Sequence, residues 1–212
     1  MACTEAIKRE MEPLLREMER YAEAHYVPIL RARERRIFCE TVMEACPHRI
    51  LELGTGIGYS TLVQAMLGAE DVRIVTVEIN EARMEAAKGF IGRSPYRDCI
   101  EMHFGDAGEL LSSLGGTFDF VFMDAAKGQY ANYFRLFQPL LAEQAVIAAD
   151  NVLFHGYVQA KGKIPHKRRS MVQHLREYIE MITHMEGYET VIREDGDGMA
   201  ITRRIGHEHE KA

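Results

Sequence analysis

At 212 residues the chain has the length of one ordinary domain, and its 47% hydrophobic and 27% charged residues exclude disordered and fibrous classes. No apolar run approaches the roughly 20 residues of a membrane span, and MACTEAIKRE lacks a signal-peptide core. The net charge of −6 argues against a nucleic-acid binder on the total alone, yet residues 151–176 hold six cations and no Asp or Glu, the mark of a local anionic partner. The four cysteines (Cys3, Cys39, Cys46, Cys99) form no C-x-x-C pair and suit neither a disulfide framework nor a zinc site. The expectation is a reduced, cytoplasmic protein with no membrane partner.

Met11, Leu14, Leu15, Met18, Tyr21 and Ala22 follow the spacing of one helix face, with Pro13 expected at the first helical position. Val27-Pro28 breaks that helix, and an Arg-rich stretch opens a second through Phe38, Val42 and Met43. From residue 48 strands and helices alternate. RILEL (49–53), RIVTVE (73–78), 100–104, FDFVFMD (118–124) and 145–150 read as strands, and Asn80 as the N-cap of the helix after the second. Regular strand–helix succession predicts a doubly wound α/β fold, a parallel sheet with helices on both faces. A helix with Val172, Leu175, Ile179 and Ile182 on one face follows, then two strands, 188–193 and 199–203, joined by EDGDG as a hairpin. The chain divides into N-terminal helices (1–47), a core (48–204) and a polar tail (205–212) within one domain over 1–212.

The first strand runs into Glu52-Leu53-Gly54-Thr55-Gly56-Ile57-Gly58, where glycines let the backbone turn tightly and approach a ligand over the sheet edge. The spacing is G-x-G-x-G rather than the dinucleotide G-x-G-x-x-G. Glu78, closing the second strand, can accept from both ribose hydroxyls of an adenosine. A nicotinamide cofactor, or a turn with no ligand, stays open at this point. Gly105-Asp106-Ala107 lies at the next strand end, where Asp106 could accept from an adenine amino group.

Asp124 closes the fourth strand and Asp150-Asn151 the fifth, so three oxygen-bearing side chains meet at neighbouring strand ends, about 5 Å apart in a sheet. Hard oxygen donors without Cys or His suit Mg²⁺; the bland alternative is a helix cap and a turn. Lys127, three residues after Asp124, would lose proton affinity beside a divalent cation and could then act as a base, or it is a solvated surface lysine. Lys161, Lys163, Lys167, Arg168 and Arg169 fall within nine residues after the fifth strand, either a footprint for phosphates or a solvated loop.

Taken together, ELGTGIGYS, VEIN, GDA, MDAAKGQY and DNVLFHG resemble the cation-dependent class I O-methyltransferases, the group of catechol and caffeoyl-CoA enzymes, over about residues 48–155. YAEAHYVPIL, KGQY, DNVLFHG, KIPHKRR and GDGMAITRR are similar to the bacterial tRNA 5-hydroxyuridine methyltransferases, over roughly residues 21–204. The resemblance implies a Rossmann-like seven-stranded sheet whose C-terminal hairpin adds an antiparallel strand. It implies S-adenosylmethionine against Leu30, Glu52, Gly54, Ser60, Glu78, Asp106, Ala107 and Asp124, and Mg²⁺ on Asp124, Asp150 and Asn151. It also implies Lys127 as the base-like lysine, a homodimer, and transfer to the 5-hydroxyl of wobble 5-hydroxyuridine in a tRNA anticodon loop held by the basic run. A small catechol-like or phenolic acceptor is the alternative, because the metal site needs only two adjacent oxygens.

Overall fold

The structure, a computed structural model, describes residues 2–205, with side chains described for Arg9 and from Met11 onward. The polar tail expected at the C-terminus lies, from residue 206, outside the described residues. The strands are β1 (Arg49–Leu53), β2 (Arg73–Glu78), β3 (Ile100–Phe104), β4 (Phe118–Met123), β5 (Leu141–Asp150), β6 (Tyr188–Arg193) and β7 (Met199–Arg204). The helices are α1 (Ala2–Ala24), α2 (Ala32–Ala45), α3 (Tyr59–Leu67), α4 (Glu81–Ile91), α5 (Ala107–Leu111), α6 (Tyr130–Phe137) and α7 (Arg169–Thr183).

All seven strands join one sheet in the order β3-β2-β1-β4-β5-β7-β6. The first five are parallel, and β7 runs antiparallel between β5 and β6. This is the doubly wound sheet expected from the alternation, with the hairpin inserted as the resemblance implied. Strand residues alternate between two cores, as the period of two requires. Ile50, Ile74, Phe120, Phe122, Val146 and Ala148 pack with α1–α4 on one face. Leu51, Leu53, Val75, Val77, Val121, Met123, Ile147 and Ala149 pack with α5–α7 on the other.

Two local expectations, for Pro13 and for the start of β5, need correction. Pro13 sits inside α1, not at its start. Its ring is exposed, and Met11, Met18 and Ala22 on the opposite face are buried, so packing carries the helix past the missing N–H. Met43 on α2 faces outward, half exposed, while Ile37, Phe38 and Val42 make the buried stripe. Strand β5 begins at Leu141 rather than Ala145, because the polar Glu143 and Gln144, which hide the strand in the sequence, lie where the pairing with β4 shifts register. Asn80 caps α4 as expected, its side chain accepting from the Arg83 amide at 3.0 Å. Among the described residues no helix is long and apolar enough to cross a membrane.

The chain builds β1 to β3 outward, then returns to lay β4 against β1. Ligands in open α/β sheets bind beyond the strand C-termini at such a reversal, and a cleft opens there.

Candidate active site

A cleft of about 350 Å³ lies over the C-terminal ends of β1, β2, β4 and β5. Leu30, Gly54, Glu78, Asp106, Ala107, Asp124, Lys127, Asp150 and Asn151 all line it, so residues spread over 122 positions of sequence meet at one sheet edge. Glu52 and Ser60, also expected at the cofactor, do not line it.

The glycine loop is held from below and from the side. The amides of Gly54 and Thr55 donate to the Val77 carbonyl at 2.9 and 3.1 Å, anchoring the loop to the end of β2. Gly54 has φ +103°, and a Cβ there would come within 2.3 Å of the Asp124 carbonyl oxygen. Only glycine allows both that conformation and that approach. Glu52 points beneath the loop into the core. It is fully buried and accepts from Ser60 Oγ (2.6 Å), Gln64 Nε2 (2.7 Å), Thr76 Oγ1 (2.7 Å) and Thr61 Oγ1. Burial outweighs these donors and pushes its carboxyl up to about 7. Gln64 Oε1, a buried acceptor beside it, has no partner among the described residues; rotating that amide would let it receive the proton of a neutral Glu52. Ser60 therefore serves Glu52, and both brace the loop.

Glu78 is buried at the β2 end of the cleft. Its two oxygens accept from the Gly56 amide (2.7 Å) and the Asn80 amide (2.8 Å), so the carboxylate ties loop to strand while facing the cleft. Asp106 caps α5 through Oδ1, which accepts from the Gly108 amide at 2.8 Å. Ile79, Arg83, Tyr133 and the 28–31 segment between α1 and α2 complete this end.

At the other end, Asp124 Oδ1 accepts from Lys127 Nζ at 3.0 Å and from no backbone amide among the described residues, so it is not a helix cap. Asp150 is 3% exposed, with Oδ1 accepting from the Asn151 amide at 2.8 Å. Burial first, then the Asp124 charge, pushes its carboxyl up to about 7, with the Asn151 amide and then Lys127 only partly offsetting them. Asn151 holds the left-handed conformation at φ +54°. Beneath the two acids, the Tyr130 hydroxyl donates to the Met123 and Asp150 carbonyls. Among the described residues no three His, Cys, Asp or Glu side chains are grouped to hold a metal. Two repelling carboxylates and an amide, all hard oxygens at the cleft floor, nevertheless fit a Mg²⁺ ion that keeps further positions for water or substrate.

Two acids of this end were not anticipated. Glu34 of α2 is 3% exposed, and its Oε1 accepts from the Asp197 amide at 3.3 Å. Asp197, in the β6–β7 turn, accepts from the His155 amide at 3.2 Å. Both line the cleft. In the sequence Glu34 lies within the basic RARER and Asp197 between turn glycines, so only the strand order reveals them.

The basic run does not line the cleft. Lys161, Lys163, Lys167, Arg168 and Arg169 are all exposed. The Arg168 guanidinium lies 4.8 Å from the Tyr157 ring centroid, and Arg169 Nε donates to the Ile164 carbonyl at 3.1 Å, so these two shape the loop. Arg176 fastens it from α7, donating to the Val158 and Ala160 carbonyls, each at 2.8 Å. The same helix packs on the Lys127 turn, where His174 lies beside Gly128. The run thus continues from an element touching the acidic end.

Comparison with known proteins agrees with this geometry. The family profile for O-methyltransferases matches residues 5–205. Caffeoyl-CoA O-methyltransferase 1 of Eucalyptus globulus is 30% identical over 164 residues, covering 73% of this chain and 66% of the relative. The chain therefore spans just under two thirds of such plant relatives. The O-methyltransferase TomG of Streptomyces achromogenes, solved with S-adenosylmethionine, superposes with TM-score 0.80 at 25% identity, covering 91% of this chain and 90% of that one. A Bacillus cereus O-methyltransferase solved with S-adenosylhomocysteine shares the fold at TM-score 0.80 and 24% identity, over 96% and 97% of the two chains.

Two outcomes test the loop. Gly54→Ala forces a strained φ and a backbone clash, and is expected to cost about 2–4 kcal/mol in urea unfolding and to abolish S-adenosylhomocysteine binding measured by calorimetry. For Glu52, the folded carboxyl lies above its unfolded value of 4.5. The stability it contributes is complete below that value and is lost as pH rises through about 7. Glu52→Gln removes this loss. The stability of the parent relative to the variant should fall from acid to alkaline pH, and a constant difference would refute the assignment.

Proposed function

The chain belongs to the O-methyltransferase family, and from that premise we propose that it is an S-adenosylmethionine-dependent O-methyltransferase, aided by Mg²⁺, that converts wobble 5-hydroxyuridine of tRNA into 5-methoxyuridine. Leu30, Gly54, Glu78, Asp106 and Ala107 would hold the cofactor, and Asp124, Asp150 and Asn151 the cation. The reading carries with it one catalytic domain, a cytoplasmic setting and a homodimer, the last supported by the resemblance alone.

The cofactor supplies a methyl group already activated on a sulfonium, so the protein has chiefly to align an oxygen with it. When bound, the cation lowers the pKa of the acceptor hydroxyl and fixes its direction. Glu78 accepts from the ribose while holding the loop closed on Gly56, and Asp106 keeps Oδ2 for the base. Lys127 donates to Asp124; once it has released its own proton to solvent, its neutral amine could take the hydroxyl proton as the methyl group leaves sulfur for oxygen. Both acceptor types, 5-hydroxyuridine with its 4-carbonyl and a catechol with two hydroxyls, offer the cation an oxygen pair.

The observation that carries the choice is the acid-free segment after Asn151. Lys161, Lys163 and Lys167 are exposed and have no hydrogen bond or ion pair among the described residues. A free catechol carries no phosphate for them to meet, whereas an anticodon loop must present phosphates while its unstacked base enters the cleft. A phenolic acceptor is the second reading, supported by the names of the plant relatives.

Nucleoside mass spectrometry of tRNA from a strain lacking the protein decides between them. Accumulated 5-hydroxyuridine, converted to 5-methoxyuridine on adding protein, cofactor and Mg²⁺, is the expected result; unchanged tRNA alongside methylation of catechols would select the phenolic reading. Replacing Lys161, Lys163 and Lys167 with alanine spares the loop-shaping arginines. It should weaken tRNA binding and reduce the slope of log affinity against log salt by about 2–3, with S-adenosylhomocysteine affinity unchanged. An unaltered slope would reduce the segment to a solvated loop.

A further inference from the structure

The ladder between β4 and β5 stops at the Met123–Ala149 pair, one residue short of both acids that the strands deliver to the cleft floor. Past that point the two strand ends are joined by a side chain. Tyr130, the first residue of α6, donates its hydroxyl to the Met123 carbonyl at 3.0 Å and to the Asp150 carbonyl at 3.1 Å. A phenol has one hydrogen, so the bond is three-centred and draws both carbonyls toward one point. One acceptor precedes Asp124 by a peptide unit; the other belongs to Asp150 itself. Tyr130 has no exposed surface, and its ring meets Tyr178 edge-on with centroids 5.5 Å apart. The hydroxyl therefore replaces the missing rung.

We propose that Tyr130 is a positioning residue for the cation site, its hydroxyl setting the separation of the strand ends that carry Asp124 and Asp150. The inference rests on the cation reading above and adds the group that shapes the ligand pair. It differs from ordinary core packing in one respect: the ring fills space, but only the oxygen links the strands. Tyr178 supplies the matching control. It is equally buried in the same aromatic pair, and its hydroxyl has no hydrogen-bond partner among the described residues, so removing that oxygen disturbs the cluster without touching the link.

Tyr130→Phe and Tyr178→Phe are compared with the parent in the full chain, with Mn²⁺ as probe, free ion read by electron paramagnetic resonance, and S-adenosylhomocysteine affinity by calorimetry. Tyr130→Phe should weaken Mn²⁺ binding about threefold to tenfold, as expected for one buried hydrogen bond, and leave S-adenosylhomocysteine affinity within about twofold. Its methyl transfer should need more Mg²⁺ yet reach the parent rate at saturation. Tyr178→Phe should match the parent in every readout. Parent-like Mn²⁺ binding by Tyr130→Phe, equal weakening by both variants, or a Tyr130→Phe that fails to fold while Tyr178→Phe folds would each overturn the inference. A parent that takes up no Mn²⁺ would sink the cation reading and this inference with it, whereas a parent that binds beside an unaffected Tyr130→Phe sinks the inference alone.

Discussion

The backbone of Gly54 lies against that of Asp124 so closely that a single added carbon would meet the Asp124 carbonyl oxygen at 2.3 Å. That contact occurs where the chain, having laid three strands outward, returns to place β4 beside β1. The β1–β4 pairing runs to Leu53 and Met123, and the Asp124 amide extends it by one bond of 2.9 Å to the Leu53 carbonyl. One sheet edge consequently carries the glycine loop on one strand and Asp124 on the next. Distance between the two halves of the site is set by backbone rather than by flexible side chains, which suits a transfer that depends on alignment.

Around this contact the buried carboxylates divide their work by depth. Glu52, deepest, takes four side-chain donors and braces the loop from inside the core. Glu78, at the surface of the same core, closes the loop from the cleft side through the Gly56 amide. Asp150 is nearly as buried as Glu52 but has a single backbone donor and a charged neighbour in Asp124. The first carboxyl is surrounded by donors within the core. The second faces another acid across the cleft floor, an arrangement that would suit a cation between them.

The acidic end of the cleft is assembled from parts of the chain that are far apart. Asn151 opens the loop after β5, the Asp197 turn comes from the terminal hairpin, and Glu34 reaches in from α2 across 163 positions of sequence. The loop and the hairpin turn are joined by backbone bonds, Val152 to Gly198 at 3.0 Å and Leu153 to Asp197 at 2.9 Å. Inserting β7 next to β5 brings that turn to the cleft. The antiparallel strand is thus part of the site as well as of the sheet.

Local interactions leave local signatures, and these were legible in the sequence. Strands β1, β2 and β3, the Asn80 cap, the glycine turn and the strand-end positions of Glu78, Asp124 and Asp150 all follow from alternation, capping and turn chemistry within a few residues. The basic run was visible as composition, but its division into loop-shaping arginines and unpartnered lysines was not. Tertiary structure alone decided that Glu52 and Ser60 bond to each other beneath the glycine loop rather than line the cleft. It alone brought Glu34 and Asp197 into the cleft and set Tyr130 across two strand ends. Each of these depends on which strands become neighbours, and strand order is fixed by packing the two cores on opposite faces of the sheet, a long-range condition that no short stretch of residues encodes.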